Sequence, residues 1–393
     1  MDKSVIEQTM EGYISNDEML GGALIVRKKD QIVYQNTWGY SDFEKTKKTE
    51  LDNIYRMCSM TKPVIAVGIM ILEDRGQLSV DDPIKKYIPA FANMTVVKKE
   101  AYARCMENLS KEGLEVEDAK RDITIRDLLS HSSGLGQGPI GMILMDQCPG
   151  AKKTMEEWVN DIASIPLDFN PGEGTGYSPF AGFDTLARII EVITGLAVDD
   201  FCQKEIFDPL DMKNTSFHLT DNIQKKLVTL CNRENEKLVK LTDEGGLAGC
   251  TARKGYVSAA AGLFSSAVDY ENFARMLVNN GKYCGKQILK EETVKKMQVI
   301  VPVEAPQMPG LGGMEWALGM IVRNNPEICG KYITKGCYGW SGSYGTHFFV
   351  SPKDDMECVF VTNRSDLNGA FSYISRKVEE LVFKVFAEKK DEP

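Results

Sequence analysis

The chain has 393 residues, 43% of them hydrophobic and 26% charged, which is typical of a globular protein long enough to bury a large core. Its net charge of −9 leaves no basic surface for nucleic acid or an anionic membrane, so polyanionic partners are not expected. The ten cysteines include no C-x-x-C pair, and the N-terminus has neither the basic nor the apolar region of an export signal. We therefore expect a cytoplasmic protein with no membrane span.

The first part of the chain predicts a helix and two strands ahead of a long apolar helix. The first helix is expected over about Ser4–Ser15, and two strands around a polar turn over Ala23–Asn36, the second of them extended to Tyr40. A further helix is predicted from Ser59 to the glycine at 76. Because this helix is apolar nearly all round, we expect it to lie between layers of the fold.

Two segments follow in which charge and capping signals dominate. Residues 91–122 are rich in charge, and we interpret them as a solvated excursion from the core. Residues 123–135 combine a capping threonine, a short apolar helix and a glycine exit, which favours a hydrogen-bonding role at the helix end for His131. Whether residues 91–122 and 136–153 cover a cleft as lids is left open by the sequence.

The region from 154 to 256 is mainly helical in pattern, with long loops. It contains a glycine-rich turn at 170–179, which leads into an amphipathic helix over Asp184–Thr194. No strand precedes these glycines and no G-K-[ST] follows them, so a phosphate cradle is not indicated. The glycines instead favour a tight loop that presents Tyr177.

The last third returns to sheet and helix. The predicted elements are a helix over Val268–Asn279, strands over Ala317–Val322, Tyr338–Ser343, His347–Val350 and Glu357–Thr362, and a closing helix over Tyr373–Phe386. No repeat or linker divides the chain. We predict an α/β fold in one domain over 1–393, with a sheet lobe from about 1–75 and 257–393 and a helical lobe from about 76–256.

The start of the apolar helix carries the only S-x-x-K of the chain, Ser59 and Lys62. Positions i and i+3 share one face of a helix, so the lysine amine can lie beside the serine hydroxyl and act as a base if burial keeps it partly neutral. Free N–H groups of the first turn favour an oxyanion near Ser59, which suits acyl transfer. Because the pattern is short, a buried helix with a serine N-cap is the alternative.

Further motifs decide between these two interpretations. The ordered segments are Cys58-Ser59-Met60-Thr61-Lys62-Pro63, Leu78-Ser79-Val80-Asp81-Asp82-Pro83, the segment 123–135, Pro171-Gly172 followed by Tyr177-Ser178, and Ala261-Gly262-Leu263-Phe264-Ser265-Ser266. Over residues of about 20 to 385, the chain resembles the serine β-lactamase-related superfamily of class C β-lactamases and penicillin-binding proteins. The resemblance is closest to the family VIII carboxylesterases. It implies an antiparallel sheet flanked by helices, with an inserted, mainly helical lobe.

The resemblance also implies roles for individual residues. Ser59 would be the nucleophile that accepts the acyl group, with Lys62 and Tyr177 as its acid/base partners. A phenol beside an ammonium can relay the serine proton to the leaving group and later activate water. The chain departs from the class C pattern at Pro179, where the lactamases carry an asparagine, so a side-chain amide for the substrate carbonyl is missing.

A second departure lies on the strand expected to line the cleft. Where lactamases and transpeptidases carry Lys-Thr-Gly, this chain has Trp340-Ser341-Gly342, which is similar to the Trp-x-Gly of the esterases. Tryptophan offers flat apolar surface in place of a positive charge, although it can also be an ordinary core residue. Gly342 would let substrate approach, and the backbone N–H groups of Ser343 and Ser59 would bind the oxyanion.

The sequence therefore predicts a serine hydrolase that cleaves short-chain carboxylic esters through an acyl-enzyme, with a small-molecule ester as its partner and no cofactor. The three histidines lie far apart in sequence, so no metal site is expected and His347 is interpreted as structural. The enzymatic alternative is a β-lactamase or D-Ala-D-Ala carboxypeptidase. The alternative from another class is a non-catalytic binding scaffold.

Overall fold

The fold is a mixed α/β arrangement built on one large antiparallel sheet. The computed structural model describes residues 3–98, 114–146, 154–241, 255–304 and 312–388. In chain order the strands are β1 (Gly21–Lys28), β2 (Gln31–Gly39), β3 (Tyr55–Arg56), β4 (Thr95–Val97), β5 (Val116–Asp118), β6 (Cys231–Glu234), β7 (Lys237–Lys240), β8 (Phe264–Ser265), β9 (Lys282–Tyr283), β10 (Lys286–Gln287), β11 (Met314–Trp316), β12 (Ile321–Arg323), β13 (Tyr338–Ser341), β14 (His347–Ser351) and β15 (Met356–Thr362).

Helices flank this sheet and fill the middle of the chain. They are α1 (Ser4–Ser15), α2 (Thr61–Asp74), α3 (Ile125–Leu129), α4 (Pro139–Asp146), α5 (Met155–Ala163), α6 (Ala181–Thr194), α7 (Val198–Cys202), α8 (Asp221–Lys226), α9 (Ala267–Val278), α10 (Glu291–Lys296), α11 (Pro326–Cys329) and α12 (Tyr373–Phe386). No described helix is both long enough and apolar enough to cross a bilayer.

The large sheet joins the two ends of the chain. Its seven strands run in the order β11-β12-β13-β14-β15-β1-β2, and every neighbouring pair is antiparallel. The predicted antiparallel sheet with flanking helices is confirmed. The lobe boundaries near 75 and 257 stay predictions.

Alternate strand residues serve two separate apolar layers, as the two-residue period of a strand requires. On one face Phe349 stacks on Phe383 of α12, with 4.7 Å between ring centroids, in a cluster that also contains α1. On the other face Phe348 lies 5.1 Å from Tyr270 and 6.2 Å from Phe273 of α9, between ring centroids. Helix α2 belongs to that second layer and is buried from Thr61 to Leu72, in keeping with its apolar composition.

Two strand predictions need correction. The single strand predicted over Ala317–Val322 is wrong, because β11 and β12 are separate strands joined by a turn in which the backbone N–H of Ala317 donates to the carbonyl of Met320. The strand predicted over Tyr338–Ser343 ends at Ser341, since the next residues form a turn in which the N–H of Gly345 donates to the carbonyl of Gly342. The lid question at 91–122 and 136–153 involves residues 99–113 and 147–153, which lie outside the described residues.

Candidate active site

The site is built around a tight turn that presents Ser59. A short 3-10 turn over Cys58–Met60 precedes α2, so the regular helix begins at Thr61, two residues later than predicted. Cys58 is buried with a φ of +49°, a conformation that non-glycine residues rarely adopt and that is often held in place at functional sites. The Thr61 hydroxyl donates to the Cys58 carbonyl at 2.6 Å, and the Tyr270 hydroxyl donates to the Met60 carbonyl at 2.8 Å. These bonds fix Ser59 in a half-buried position.

Lys62 lies under Ser59 and is completely buried. Its Nζ donates to the carbonyls of Pro179 at 2.8 Å and Ala260 at 2.9 Å, and it lies 3.4 Å from Ser59 Oγ. Two of the directions available to the amine are therefore taken by carbonyl oxygens, and a third is directed at the serine. The sequence expectation that Lys62 is buried within reach of Ser59 matches this geometry.

Tyr177 is the second side chain that contacts the Ser59 hydroxyl. Its hydroxyl donates to Ser59 Oγ at 2.6 Å, a shorter contact than the one from Lys62. The Lys62 ammonium position lies 4.9 Å from the centroid of the Tyr177 ring, within the range of a cation–π contact. Ser59 and Lys62, which are three residues apart, thus meet Tyr177, which follows Ser59 by 118 residues.

The rings of His131, Trp316 and Trp340 form an aromatic wall around the Tyr177 ring. The centroid of the Tyr177 ring lies 4.8 Å from that of His131, 5.3 Å from that of Trp340 and 6.1 Å from that of Trp316. Trp316 and Trp340 also contact each other, with 4.6 Å between centroids. Because His131, Trp316 and Trp340 are all buried, the main effect of the wall is to restrict the rotation of the tyrosine.

Of the residues expected to line the cleft, Trp340 and Ser341 point to opposite faces of the sheet. Trp340 is 5% exposed and faces Tyr177, whereas the Ser341 hydroxyl lies 2.8 Å from Nδ1 of His347 on the face that packs against α12. The Ser341 side chain is therefore not beside Ser59, and only its backbone remains available for the predicted substrate contact. The hydroxyl of Ser341 and the ring of His347 instead form part of the sheet interior.

Close packing requires a glycine at position 342, for a reason that the sequence did not reveal. A Cβ at this position would lie 2.2 Å from both the Met57 carbonyl oxygen and the Thr346 hydroxyl, so a larger residue would push the turn that carries Ser59 away from the sheet. The next residue, Ser343, lies beside the Cys58 thiol. The strand that was predicted to provide the second oxyanion N–H is thus adjacent to the turn that carries Ser59.

A buried carboxylate accompanies the buried lysine. Asp184 accepts hydrogen bonds from the Trp158 indole at 2.9 Å and the Tyr256 hydroxyl at 3.0 Å. Burial raises the pKa of Asp184 to about 6, while these two donors and the positive charge of Lys62 act in the opposite direction. The carboxylate therefore ties α6 to the segment that carries the Ala260 carbonyl, near the lysine.

Comparison with known proteins identifies the family. The family described as Beta-lactamase matches residues 4–382, which is nearly the whole chain. The chain belongs to the Beta-lactamase family. This confirms the resemblance inferred from the ordered motifs, and it places the chain in a family of serine hydrolases with esterase relatives.

Individual members of the family give the range of relatives. Esterase EstB of Burkholderia gladioli is 25% identical over 381 residues, covering 91% of this chain and 89% of that protein. A D-alanyl-D-alanine carboxypeptidase-like protein of Escherichia coli K12 is 26% identical over 394 residues, covering 93% of this chain and 81% of that protein. EstCE1, described as a hydrolase with promiscuous acyltransferase activity, is 21% identical in sequence. Its solved structure superimposes with a TM-score of 0.78, covering 96% of this chain and 98% of that protein. This last likeness shows the fold.

Several residues of this Beta-lactamase family site were not found from the sequence. Trp316, which directly precedes the incorrectly predicted strand over Ala317–Val322, was not singled out, and His131 was interpreted only as a helix-end hydrogen bonder. The carbonyls of Pro179 and Ala260 cannot be predicted from residue type, because every residue carries a carbonyl. Pro179 had been noted for the amide it lacks, whereas in the structure its backbone oxygen holds Lys62.

No metal centre emerges among the described residues. Groups of three or more histidine, cysteine, aspartate or glutamate side chains that could hold a metal ion are absent from this part of the chain. Within the site itself, the polar groups that approach Ser59 Oγ are the hydroxyl of Tyr177 and the amine of Lys62.

Proposed function

We propose that this protein is a serine esterase that cleaves short-chain carboxylic esters through an acyl-enzyme on Ser59. The observation that carries the proposal is that Ser59 Oγ lies 2.6 Å from the Tyr177 hydroxyl and 3.4 Å from Lys62 Nζ. Ser59 is half-buried, so its oxygen remains reachable, while the lysine below it is fully buried. A nucleophile activated by two adjacent proton carriers is the arrangement that covalent acyl transfer needs.

The proton balance of the first step follows from this geometry. The reactive form of the pair has one proton fewer than a phenol beside an ammonium, with a Tyr177 phenolate next to the Lys62 ammonium. As Ser59 Oγ bonds to the ester carbonyl carbon, its proton passes to the Tyr177 oxygen of this pair. The same pair returns the proton to the departing alkoxide when the ester C–O bond breaks, which leaves the acyl group on Ser59 and releases the alcohol. In the second step water loses a proton to the pair and attacks the acyl carbon, and Ser59 regains a proton as the acid leaves.

Tyr177 is the direct partner of Ser59 in this scheme. Its oxygen makes the shorter contact, whereas the Lys62 amine is engaged by two carbonyls and sits against the tyrosine ring. Lys62 would thus stabilise negative charge on the tyrosine and serine oxygens, in addition to carrying a proton. Backbone N–H groups of Ser59 and Ser343 would bind the oxyanion, each lowering the barrier by about 3 kcal/mol.

The aromatic wall favours neutral, apolar substrates. Trp340 stands where the lactamases and transpeptidases carry a lysine, and it packs against Trp316 and Tyr177. Trp340 is uncharged and 5% exposed, so it offers no ion pair to the carboxylate of a β-lactam or a peptide and presents only a narrow apolar edge to a small acyl or alcohol group. The esterase named among the relatives agrees with this choice of substrate class.

A peptidase or β-lactamase is the second candidate. It is favoured by the D-alanyl-D-alanine carboxypeptidase-like relative, which is as similar in sequence as the esterase. The same Ser59, Lys62 and Tyr177 set would serve that reaction, so the two candidates differ only in substrate recognition. A non-catalytic scaffold is the third, and it would have no physical need for a buried amine beside a hydroxyl.

A cytoplasmic location remains part of the proposal. All seven cysteines among the described residues are free thiols, and five of them are buried. Such thiols are typical of reducing compartments. Fractionation of the native host with antibodies to the chain would test this location, and recovery outside the cytoplasm would contradict it.

Substrate comparison tests the function. Purified protein and its Ser59→Ala variant would be assayed with p-nitrophenyl acetate, p-nitrophenyl butyrate and a chromogenic cephalosporin. We expect faster turnover of the esters, abolished in the variant. Faster turnover of the cephalosporin would favour the lactamase candidate, and equal turnover by both proteins on every substrate would favour the scaffold.

A further inference from the structure

The geometry points to His131 as a positioning residue that holds the hydroxyl of Tyr177 against Ser59. This inference rests on the proposed function and deepens it, because it concerns the orientation of the proposed acid/base group. His131 does not contact Ser59. It acts through the loop that carries the tyrosine.

The loop around Tyr177 has no regular structure to hold it. Residues 174–178 belong to no helix or strand, so their backbone groups are not fixed by a helix or a sheet ladder. A hydroxyl that must stay 2.6 Å from Ser59 Oγ therefore needs support from elsewhere in the fold. A displacement of about 1 Å in such a group can cost on the order of 100-fold in rate.

His131 supplies that support on both sides of the tyrosine. Its carbonyl accepts a hydrogen bond from the N–H of Gly176 at 3.1 Å, and its ring Nδ1 accepts one from the N–H of Ser178 at 3.1 Å. These are the two backbone donors that flank Tyr177. One residue thus holds the backbone N–H groups of both sequence neighbours of the tyrosine.

The ring of His131 is held in one state. Because Nδ1 accepts a hydrogen bond, the ring proton of the neutral form lies on Nε2. Burial, with a further contribution from the positive charge of Lys62, keeps the pKa of His131 well below its ordinary value. The acceptor at Nδ1 is therefore maintained across the neutral pH range in which an esterase would operate.

The backbone and packing of His131 are equally constrained. It is fully buried just after α3 with a φ of +54°, a left-handed conformation that costs free energy for most side chains. Its ring lies 4.2 Å from the Trp316 ring and 4.8 Å from the Tyr177 ring, between centroids. An ordinary helix-end residue needs neither contact, and glycine would remove the strain.

Two substitutions distinguish the effect of losing the hydrogen-bond acceptor of the His131 ring from the effect of its positive-φ backbone conformation. Asparagine and glycine both tolerate a positive φ, but only asparagine keeps a side-chain acceptor near the position of Nδ1. We expect His131→Gly to lower kcat for p-nitrophenyl acetate by about 10- to 100-fold with KM changed less than about threefold. We expect His131→Asn to recover most of this loss. An effect of H131N as large as that of H131G would overturn the proposal.

A double-mutant cycle with Tyr177→Phe tests whether His131 acts through the tyrosine. Once the hydroxyl is gone its position no longer matters, so H131G should lower kcat less than about threefold in that background. A control cycle combines Y177F with His347→Asn, which replaces another buried histidine whose hydrogen-bond partner is Ser341. The effects of these two substitutions on kcat should be additive. Equal losses from H131G in both backgrounds would contradict the positioning role. Absence of Ser59-dependent hydrolysis in the wild type would instead refute the proposed function.

Discussion

Removal of one oxygen atom at Tyr177 should disable the site while leaving the fold intact. The Tyr177→Phe variant keeps the ring and its contacts with His131, Trp316 and Trp340, because these contacts involve the ring and not the hydroxyl. What is lost is the oxygen 2.6 Å from Ser59 Oγ. The variant therefore tests proton transfer separately from packing.

The size of the effect follows from the role assigned to the hydroxyl. A positioned general acid or base contributes about 10²- to 10⁴-fold to a rate, which corresponds to roughly 3–5 kcal/mol of barrier. The free energy of unfolding should change by only about 1 kcal/mol, the ordinary net value of one hydrogen bond. A large loss of kcat with little loss of stability is thus the expected signature.

Stopped-flow hydrolysis of p-nitrophenyl acetate would measure the acylation rate and kcat of Y177F, and urea unfolding would measure its stability. Tyr338→Phe is a control for the loss of a tyrosine hydroxyl, since Tyr338 is buried and its hydroxyl donates to the Leu277 carbonyl at 3.5 Å, away from Ser59. The control should hydrolyse the ester at nearly the wild-type rate. A Y177F variant with kcat within about threefold of wild type would refute the assignment of Tyr177.

Three further predictions concern buried titratable side chains. Lys62→Met should slow fluorophosphonate labelling of Ser59 by at least about 100-fold, because it removes the only described amine in contact with the serine; labelling at the wild-type rate would exclude a role for the lysine. Burial, together with the charge of Glu271, raises the pKa of Glu357 well above 4.5, so the folded chain retains a proton that the unfolded chain releases and stability falls as pH rises above about 4.5. Glu357→Gln should flatten this fall in urea unfolding between about pH 5 and pH 9, and an unchanged slope would contradict it. Burial lowers the pKa of His347 from 6.5 to about 4, so stability is lost as pH falls through that interval, by up to ~3 kcal/mol. His347→Asn should therefore show a weaker loss in acid titrations of unfolding, and an identical loss would rule out this histidine as its source.

Local patterns predicted much of the fold. The helix over Ser4–Ser15 has the bounds that were predicted, and the apolar helix after Ser59 is buried as its composition required. Such elements are determined by the periodicity of their own residues. The distribution of strand-like segments predicted a sheet lobe from both ends of the chain. Its antiparallel pairing was implied only by the family resemblance, because pairing between residues near 25 and near 360 leaves no local signal.

The candidate site was predictable in its side chains and not in its backbone. Ser59, Lys62 and Tyr177 were identified from motifs, and the structure brings all three together. The predicted strand over Ala317–Val322 failed because Gly319 adopts a φ of +85° in a turn packed against Ala66, where a Cβ would lie 2.3 Å from the alanine Cβ. This close approach is tertiary, so the sequence pattern around it still resembled a strand.

The same reason explains why His131 was undervalued. Its residue type and its place at a helix end suggested a local role, whereas its carbonyl and ring reach a loop more than forty residues later. Ser341 shows the opposite error, because its place beside Trp340 suggested the cleft but strand alternation turns its side chain to the other face.

Direct detection of the acyl-enzyme is the decisive measurement. The wild-type chain would be mixed with p-nitrophenyl acetate, quenched in acid during the first turnover, and analysed by intact mass and by sequencing of the modified peptide. We predict one acetyl group per chain, located on Ser59, and none in the Ser59→Ala variant. Hydrolysis without a covalent adduct, or an adduct located on any other residue, would contradict the account.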